Sequence, residues 1–215
     1  MKNKYVIFDL DDTLTYEINY LKSAYLEIAK KIDQDNFRVL NKEMLLWYEN
    51  KENVFEILAQ KYPIHTLDDL ILNYRRHFPE IFLNEGAEEI LEFCKIKGYK
   101  LGLISDGRSL TQRNKLKSLG IEDKFDKIII SEEFGFTKPD KRNFEVFLEH
   151  NISDYFYIAD NPLKDFVIPN KLGWKSICLL NNGMNIHLQN FEIAFDYLPQ
   201  YKIEKLTDLK KIIDE

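Results

Sequence analysis

Short unbroken apolar runs alternate along much of the chain with segments whose apolar residues recur every three or four positions. Residues 5–8, 101–104, 127–130, 155–159 and 176–180 are rich in β-branched and aromatic side chains and give way to polar or acidic residues. Runs this short and this continuous predict strands buried on both faces. Between them, Ala87, Ile90, Leu91 and Cys94 fall at i, i+3, i+4 and i+7, the stripe of an amphipathic helix. Residues 110–119, 143–150 and 165–172 also read as helices, with Gly120 and Gly173 as stops. Strands alternating with helices predict an α/β fold, a parallel sheet covered on both faces. Ligands gather outside the carboxyl ends of such strands. The polar residues closing the first, second and fourth runs are therefore expected to share one crevice.

Residues 15–84 break this rhythm. They contain no convincing central strand and show helical spacing, as in Leu21, Tyr25, Ile28, Ala29 and Ile32, or Val54, Ile57 and Leu58, with Pro63 and Pro79 as breaks. A bundle of several helices, inserted after the first strand, is expected there. Residues 197–215 are expected to add an edge strand and then a helix over 206–213.

Composition narrows the class. The chain has 215 residues, 45% of them apolar and 31% charged, as in an ordinary globular domain with a modest insertion. The net charge of −6, with lysines scattered among acidic residues, leaves no basic stripe for nucleic acid or a membrane surface. Cys94 and Cys178 sit in apolar contexts with no CxxC or Cys/His cluster, and read as small core residues. The apolar stretch near the N-terminus is too short for a signal peptide or a membrane span, so a cytoplasmic location is the default expectation.

The candidate chemistry lies at the strand ends. In Asp9-Leu10-Asp11-Asp12-Thr13, two carboxylates two residues apart follow a buried run. A hard cation such as magnesium favours such oxygen ligands, and a carboxylate can also act as a nucleophile. An acidic loop with Asp12 or Thr13 as N-cap would use the same letters. Ser105-Asp106-Gly107 offers a hydroxyl and backbone N–H groups to an anion, or a plain turn and helix cap. Lys138-Pro139 could set a point cation beside a phosphate, or simply open a helix at the surface. Asp160 is placed to join Asp9, and Asp165 opens the next helix.

Taken together in this order, these residues resemble the haloacid dehalogenase superfamily. Asp9, Asp11 and Thr13 match its DxDxT motif, Ser105 its second motif, Lys138-Pro139 its third, and Asp160 with Asp165 its fourth. The likeness runs from Tyr5 to about Leu180. Two positions depart from it, Ala159 before Asp160 and Asp12 after Asp11, and neither removes a chemical group. The resemblance implies a Rossmann-like parallel sheet core, residues 1–14 and 85–215, with an inserted α-helical cap, residues 15–84. It also implies a magnesium-dependent phosphatase acting on a small phosphorylated metabolite through an aspartyl-phosphate. In that scheme Asp9 is the nucleophile and Asp11 the acid and base. Ser105, Asp106 and Lys138 contact the phosphoryl group. Asp9, the Asp11 carbonyl and Asp160 hold magnesium, with Asp165 behind them.

Three other readings share these letters. A dehalogenase of the same superfamily uses no magnesium and generally lacks the second Asp. A phosphosugar mutase would favour a sugar phosphate over water. A non-catalytic relative would be expected to lose a nucleophile or metal ligand. For the substrate, the insert offers Tyr16, Tyr20, Trp47, Tyr48, Arg75, Arg76 and His77. The aromatics read as insert core and Arg75 and Arg76 as solvent-facing, with substrate contact by the two arginines as the alternative.

Overall fold

A computed structural model of the protein describes residues 3–214. The first strand, β1 (Lys4–Phe8), is followed by four helices, α1 (Glu17–Ile32), α2 (Phe37–Glu49), α3 (Val54–Lys61) and α4 (Leu67–Arg76). Then come α5 (Ala87–Ile96), β2 (Lys100–Ser105), α6 (Ser109–Ser118) and β3 (Lys127–Ile130). Two single-turn helices, α7 (Ser131–Phe134) and α8 (Arg142–Glu145), lead to β4 (Asp154–Ala159). The chain ends with α9 (Val167–Lys171), β5 (Lys175–Leu179), β6 (Tyr201–Ile203) and α10 (Leu209–Asp214).

The six strands form one parallel sheet in the order β3-β2-β1-β4-β5-β6. The continuous apolar runs have a direct cause, because side chains alternate between faces and both faces are covered. Val6, Phe8, Leu103 and Ile158 pack on one side against Ile90, Leu91 and Leu116. Tyr5, Ile7, Ile104 and Tyr157 pack on the other against Phe144, Phe147 and Trp174. Cys94 and Cys178 are buried free thiols in these layers, as their contexts predict.

The inserted helices build an apolar core of their own from Leu21, Tyr25, Ile28, Leu40, Met44, Val54, Leu58 and Leu70. Asn53 and Thr66 cap α3 and α4 by accepting from the N–H groups of Glu56 and Asp69. Pro63 and Pro79 fall in the breaks after these helices.

One expected helix is largely replaced. Residues 143–150 form no continuous α-helix beyond the single turn α8. Phe147 and Leu148 donate to the carbonyls of Phe144 and Glu145, three residues back. That tighter winding stacks residues i and i+3 on one side. It brings Phe144 and Phe147 together in the core, both fully buried. The helix expected from Asp165 begins later, at Val167, because Asp165 is engaged elsewhere.

Candidate active site at the switch point of the sheet

Strand order reverses between β1 and β4, so their carboxyl ends flank the crevice where ligands bind in open parallel sheets. Asp9 continues β1, its N–H donating to Ile158 O at 2.9 Å, and Asp160 follows β4. Asp165 joins them, and facing oxygens of the three carboxylates all lie within 4.8 Å of one another.

Lys138 reaches this cluster from the loop after α7. Its side chain is fully buried, 2.9 Å from Asp9 and 2.7 Å from Asp165, and donates to the Tyr157 hydroxyl at 3.2 Å. Tyr157 donates in turn to Asp165 Oδ1, and Asn161 N–H donates to Asp165 Oδ2. Both oxygens of Asp165 are thus held by protein donors. Asn185 donates to one oxygen of Asp160 at 2.9 Å. The other oxygen of Asp160, and the one of Asp9 away from Lys138, take no protein hydrogen bond among the described residues.

Burial raises the Asp9 carboxyl to about 7, with Lys138 opposing and Asp165 adding to the rise. Burial, then Asp9, Asp165 and Asp12, raise Asp160 to about 8. Burial disfavours the charged form of Lys138, but the carboxylates of Asp165 and Asp9 overcome it and hold its pKa well above the ordinary value. Of the three carboxylates, Asp9 and Asp165 are paired directly with the Lys138 ammonium, and Asp160 is not. A divalent cation on the free oxygens of Asp9 and Asp160 fits this donor set, which is all oxygen and in excess of negative charge.

Asp11 projects to the opposite side of the crevice. Lys115 lies 2.6 Å from one of its oxygens, and Gln112 donates to the other at 2.7 Å. The same Gln112 nitrogen donates to Ser105 Oγ at 2.5 Å. Asp12 accepts from the N–H groups of Glu17 and Ile186 and so steadies the first turn of α1, but the N-cap position is taken by Tyr16, not by Asp12 or Thr13. The Asp106 carboxylate accepts from Lys138 N–H at 3.0 Å and faces Lys164 at 3.5 Å. It holds the Lys138 loop in place. An anion so engaged repels phosphate, which leaves only the Asp106 backbone for the contact expected from the sequence.

Asp9, Asp11, Asp12, Ser105, Asp106 and Asp160 line a cavity of about 140 Å³, together with Glu17, Asn161, Lys164 and His187. Burial and then the Asp11 charge raise Glu17 to about 7. Burial and Lys138 work against the charge on Lys164, but Asp9, Asp165 and Asp106 prevail and raise its pKa. A larger cleft of about 410 Å³ runs past Tyr16 and Asn84, where the chain enters and leaves the insert. It contains none of the clustered carboxylates and shares only Asn185 with their surroundings.

Residues 6–179 match the family model described as haloacid dehalogenase-like hydrolase. The chain belongs to this family. Among the relatives of the hydrolase, a glyceraldehyde 3-phosphate phosphatase of Methanothermobacter thermautotrophicus is 28% identical over 89% of this chain and 87% of that one. The pyrimidine 5'-nucleotidase YjjG of Escherichia coli is 28% identical over 99% of both chains. Among solved structures, the HAD-hydrolase YfnB of Bacillus subtilis, bound to magnesium, superposes with a TM-score of 0.66 at 21% identity over the full length of both chains. No helix among the described residues of the hydrolase is long and apolar enough to cross a membrane.

The structure brings together Asp9, Asp11, Ser105, Asp106, Lys138, Asp160 and Asp165. It does not bring Arg75 or Arg76 to them. Both side chains are exposed at the end of α4, whose inner face carries Leu70 and Tyr74, and neither lines the cavity. Trp47 and Tyr48 pack within the insert, and Tyr20 packs where the insert meets α6, beside Leu119 and Lys115. Glu17, Gln112, Lys115, Lys164, Asn185 and His187 were not legible in the motifs. For Gln112 and Lys115 a signal existed. With Leu116 they occupy i, i+3 and i+4 on α6, so its inner stripe is partly polar directly after Ser105.

Proposed function

We propose that this hydrolase is a magnesium-dependent phosphatase that moves the phosphoryl group of a small hydroxylated metabolite first to Asp9 and then to water. The observation that carries the reading is the arrangement around Asp9. Its carboxylate is paired with the buried Lys138 and lies beside Asp160, while one oxygen still opens into the cavity.

In the first step an Asp9 oxygen attacks phosphorus. The ester oxygen leaves with the bonding pair and takes a proton from Asp11. In the second step water attacks the aspartyl-phosphate and gives its proton to Asp11. The P–O bond to Asp9 breaks, releasing phosphate and restoring the carboxylate. Ser105 donates to a phosphoryl oxygen and Lys138 balances charge on the group in flight. Magnesium, held by Asp9, Asp160 and the Asp11 carbonyl, would supply further positive charge there. Asp165 acts behind them by orienting Lys138. Residues 15–84 act as a cap, and residues 1–14 with 85–215 as the catalytic core.

The cavity argues for a short polar substrate. Its lining contains no aliphatic side chain and no Phe, Tyr or Trp on which a base could stack, and its volume is about 140 Å³. Glu17, Lys164 and His187 are placed to meet hydroxyl or carbonyl groups beyond the phosphate. The relative named as acting on glyceraldehyde 3-phosphate fits that size better than the nucleotidase does. Purified protein is tested on p-nitrophenyl phosphate, triose and tetrose phosphates and nucleoside monophosphates, with magnesium and with EDTA. Turnover that needs magnesium and favours the short-chain esters is expected. Undiminished activity in chelator would remove the metal, and preference for nucleotides would remove the size argument.

A further inference from the structure

The two-step reading leaves open what aims Asp11 and Ser105. Gln112 and Lys115 lie three residues apart on α6, hence on one face, and each is 2% exposed. Burying an amide and an ammonium is costly unless their hydrogen-bonding groups are used. Here the amide nitrogen and the ammonium are turned onto the proposed machinery. Gln112 Nε2 lies 2.7, 2.5 and 3.2 Å from Asp11 Oδ2, Ser105 Oγ and Asp106 O, and its two protons serve these three acceptors, one of them shared. A carboxylate and a carbonyl only accept, so the amide nitrogen faces inward. Ser105 Oγ is then an acceptor toward Gln112, and its own proton is left for an acceptor in the cavity. Lys115 takes the second Asp11 oxygen and lies 4.8 Å over the Tyr20 ring. Gly107 makes room for the amide. Its φ is +145°, and a Cβ there would stand 3.1 Å from Gln112 Cδ.

We propose that Gln112 and Lys115 are positioning residues that hold Asp11 and Ser105 as one unit, with the Asp11 carboxylate fixed in a single orientation toward the leaving group. The proposal rests on the phosphatase reading. Without these two donors Asp11 is free to rotate, and a misplacement of about 1 Å costs about 100-fold in a proton transfer that depends on alignment.

The test uses Gln112→Met and Lys115→Met, with Gln112→Glu as a second variant that keeps the shape and turns a donor toward Asp11 into an acceptor. Phospho-enzyme formation is timed in single turnovers with an alkyl phosphate and with p-nitrophenyl phosphate, and the ratio of the two rates is compared with wild type. The ratio within one preparation does not depend on how much of a variant folds. An alkyl ester needs the Asp11 proton and nitrophenolate does not, so the ratio is expected to fall by about 10-fold or more in each variant. In an Asp11→Asn background, Lys115→Met is expected to change the ratio no further. An unchanged ratio in the single variants, or an equal further loss without Asp11, overturns the proposal. Wild-type protein inert toward both esters overturns the phosphatase reading instead.

Discussion

At the residue scale, the cluster of Asp9, Lys138 and Asp165 sets apart chemistry from stability. The Lys138 ammonium lies between two buried carboxylates. Breaking a buried ion pair by removing one partner leaves uncompensated charge and costs about 3–5 kcal/mol. Lys138→Met is therefore expected to lower unfolding free energy by that amount and to remove turnover with it, read by urea denaturation and by phosphate release. Asp9→Asn is expected to behave differently. The amide has nearly the shape of the carboxylate, and it removes a charge that burial and then Asp165 disfavour at Asp9 and that adds to the rise burial gives Asp160. Turnover should vanish while stability stays within about 0.5 kcal/mol or rises. A loss of several kcal/mol in Asp9→Asn would mark Asp9 as a structural partner of Lys138, and appreciable residual turnover would deny it the nucleophile's role.

At the element scale, the sheet explains why so much of the molecule was readable. A strand buried on both faces leaves an unbroken apolar run, and a parallel sheet puts the next polar residue at the crevice, which is how Asp9, Ser105 and Asp160 stood out. Asp165 and Lys138 stood out only through the family resemblance, since as single letters they suit a helix start. Gln112 and Lys115 showed only as polar positions on the inner stripe of α6, because the Asp11 carboxylate they share lies 101 and 104 residues away from them in the chain. Asn185 and His187 sit in an irregular segment with no period to mark which side chains turn inward. The helix expected over 143–150 failed because its spacing served Phe144 and Phe147 in a tighter winding. That packing carries its own prediction. A Cβ on Gly102 in β2 would lie 2.6 Å from Phe147 Cε1 and 2.9 Å from Ile7 Cγ1. Gly102→Ala is expected to cost about 1–3 kcal/mol by overpacking. Phe147→Leu in the same chain should restore part of the loss, so the two changes are non-additive in thermal melts. Strict additivity would mean that the strand shifts away from Phe147 at little cost.

At the scale of the whole molecule, two of the ties between the insert and the core bear on the site. The chain crosses at a neck where Thr15 Oγ1 donates to Phe82 O, Asn84 N–H to Leu14 O, and Asn84 Nδ2 to Thr13 O, all at 2.8–2.9 Å. The outgoing and returning segments are thus bonded to each other and must move together. The second tie is α6. Its Thr111, Asn114 and Ser118 side chains donate to the carbonyls of Arg75, His77 and Pro79 at 2.9, 3.1 and 2.5 Å. On its inner side the same helix holds Asp11 and Ser105. Glu17, the first residue of α1, lines the cavity, so a ligand there touches insert and core at once. A ligand shifts an equilibrium only by its differential affinity, and this one gains the insert's contacts only when the insert is docked. Magnesium with orthovanadate, a phosphate mimic, is therefore expected to slow amide exchange at residues 13–17 and 82–86 and across 77–80. Asn114→Ala with Ser118→Ala removes two of the α6 bonds, each worth about 0.5–1.5 kcal/mol. Exchange in those segments should then be faster in the free protein and return toward the wild-type rate when the mimic binds. If the mimic protects only the strand ends around Asp9, Ser105 and Asp160 and leaves the neck untouched, the insert takes no part in holding substrate, and selection must rest on Lys164 and His187 alone.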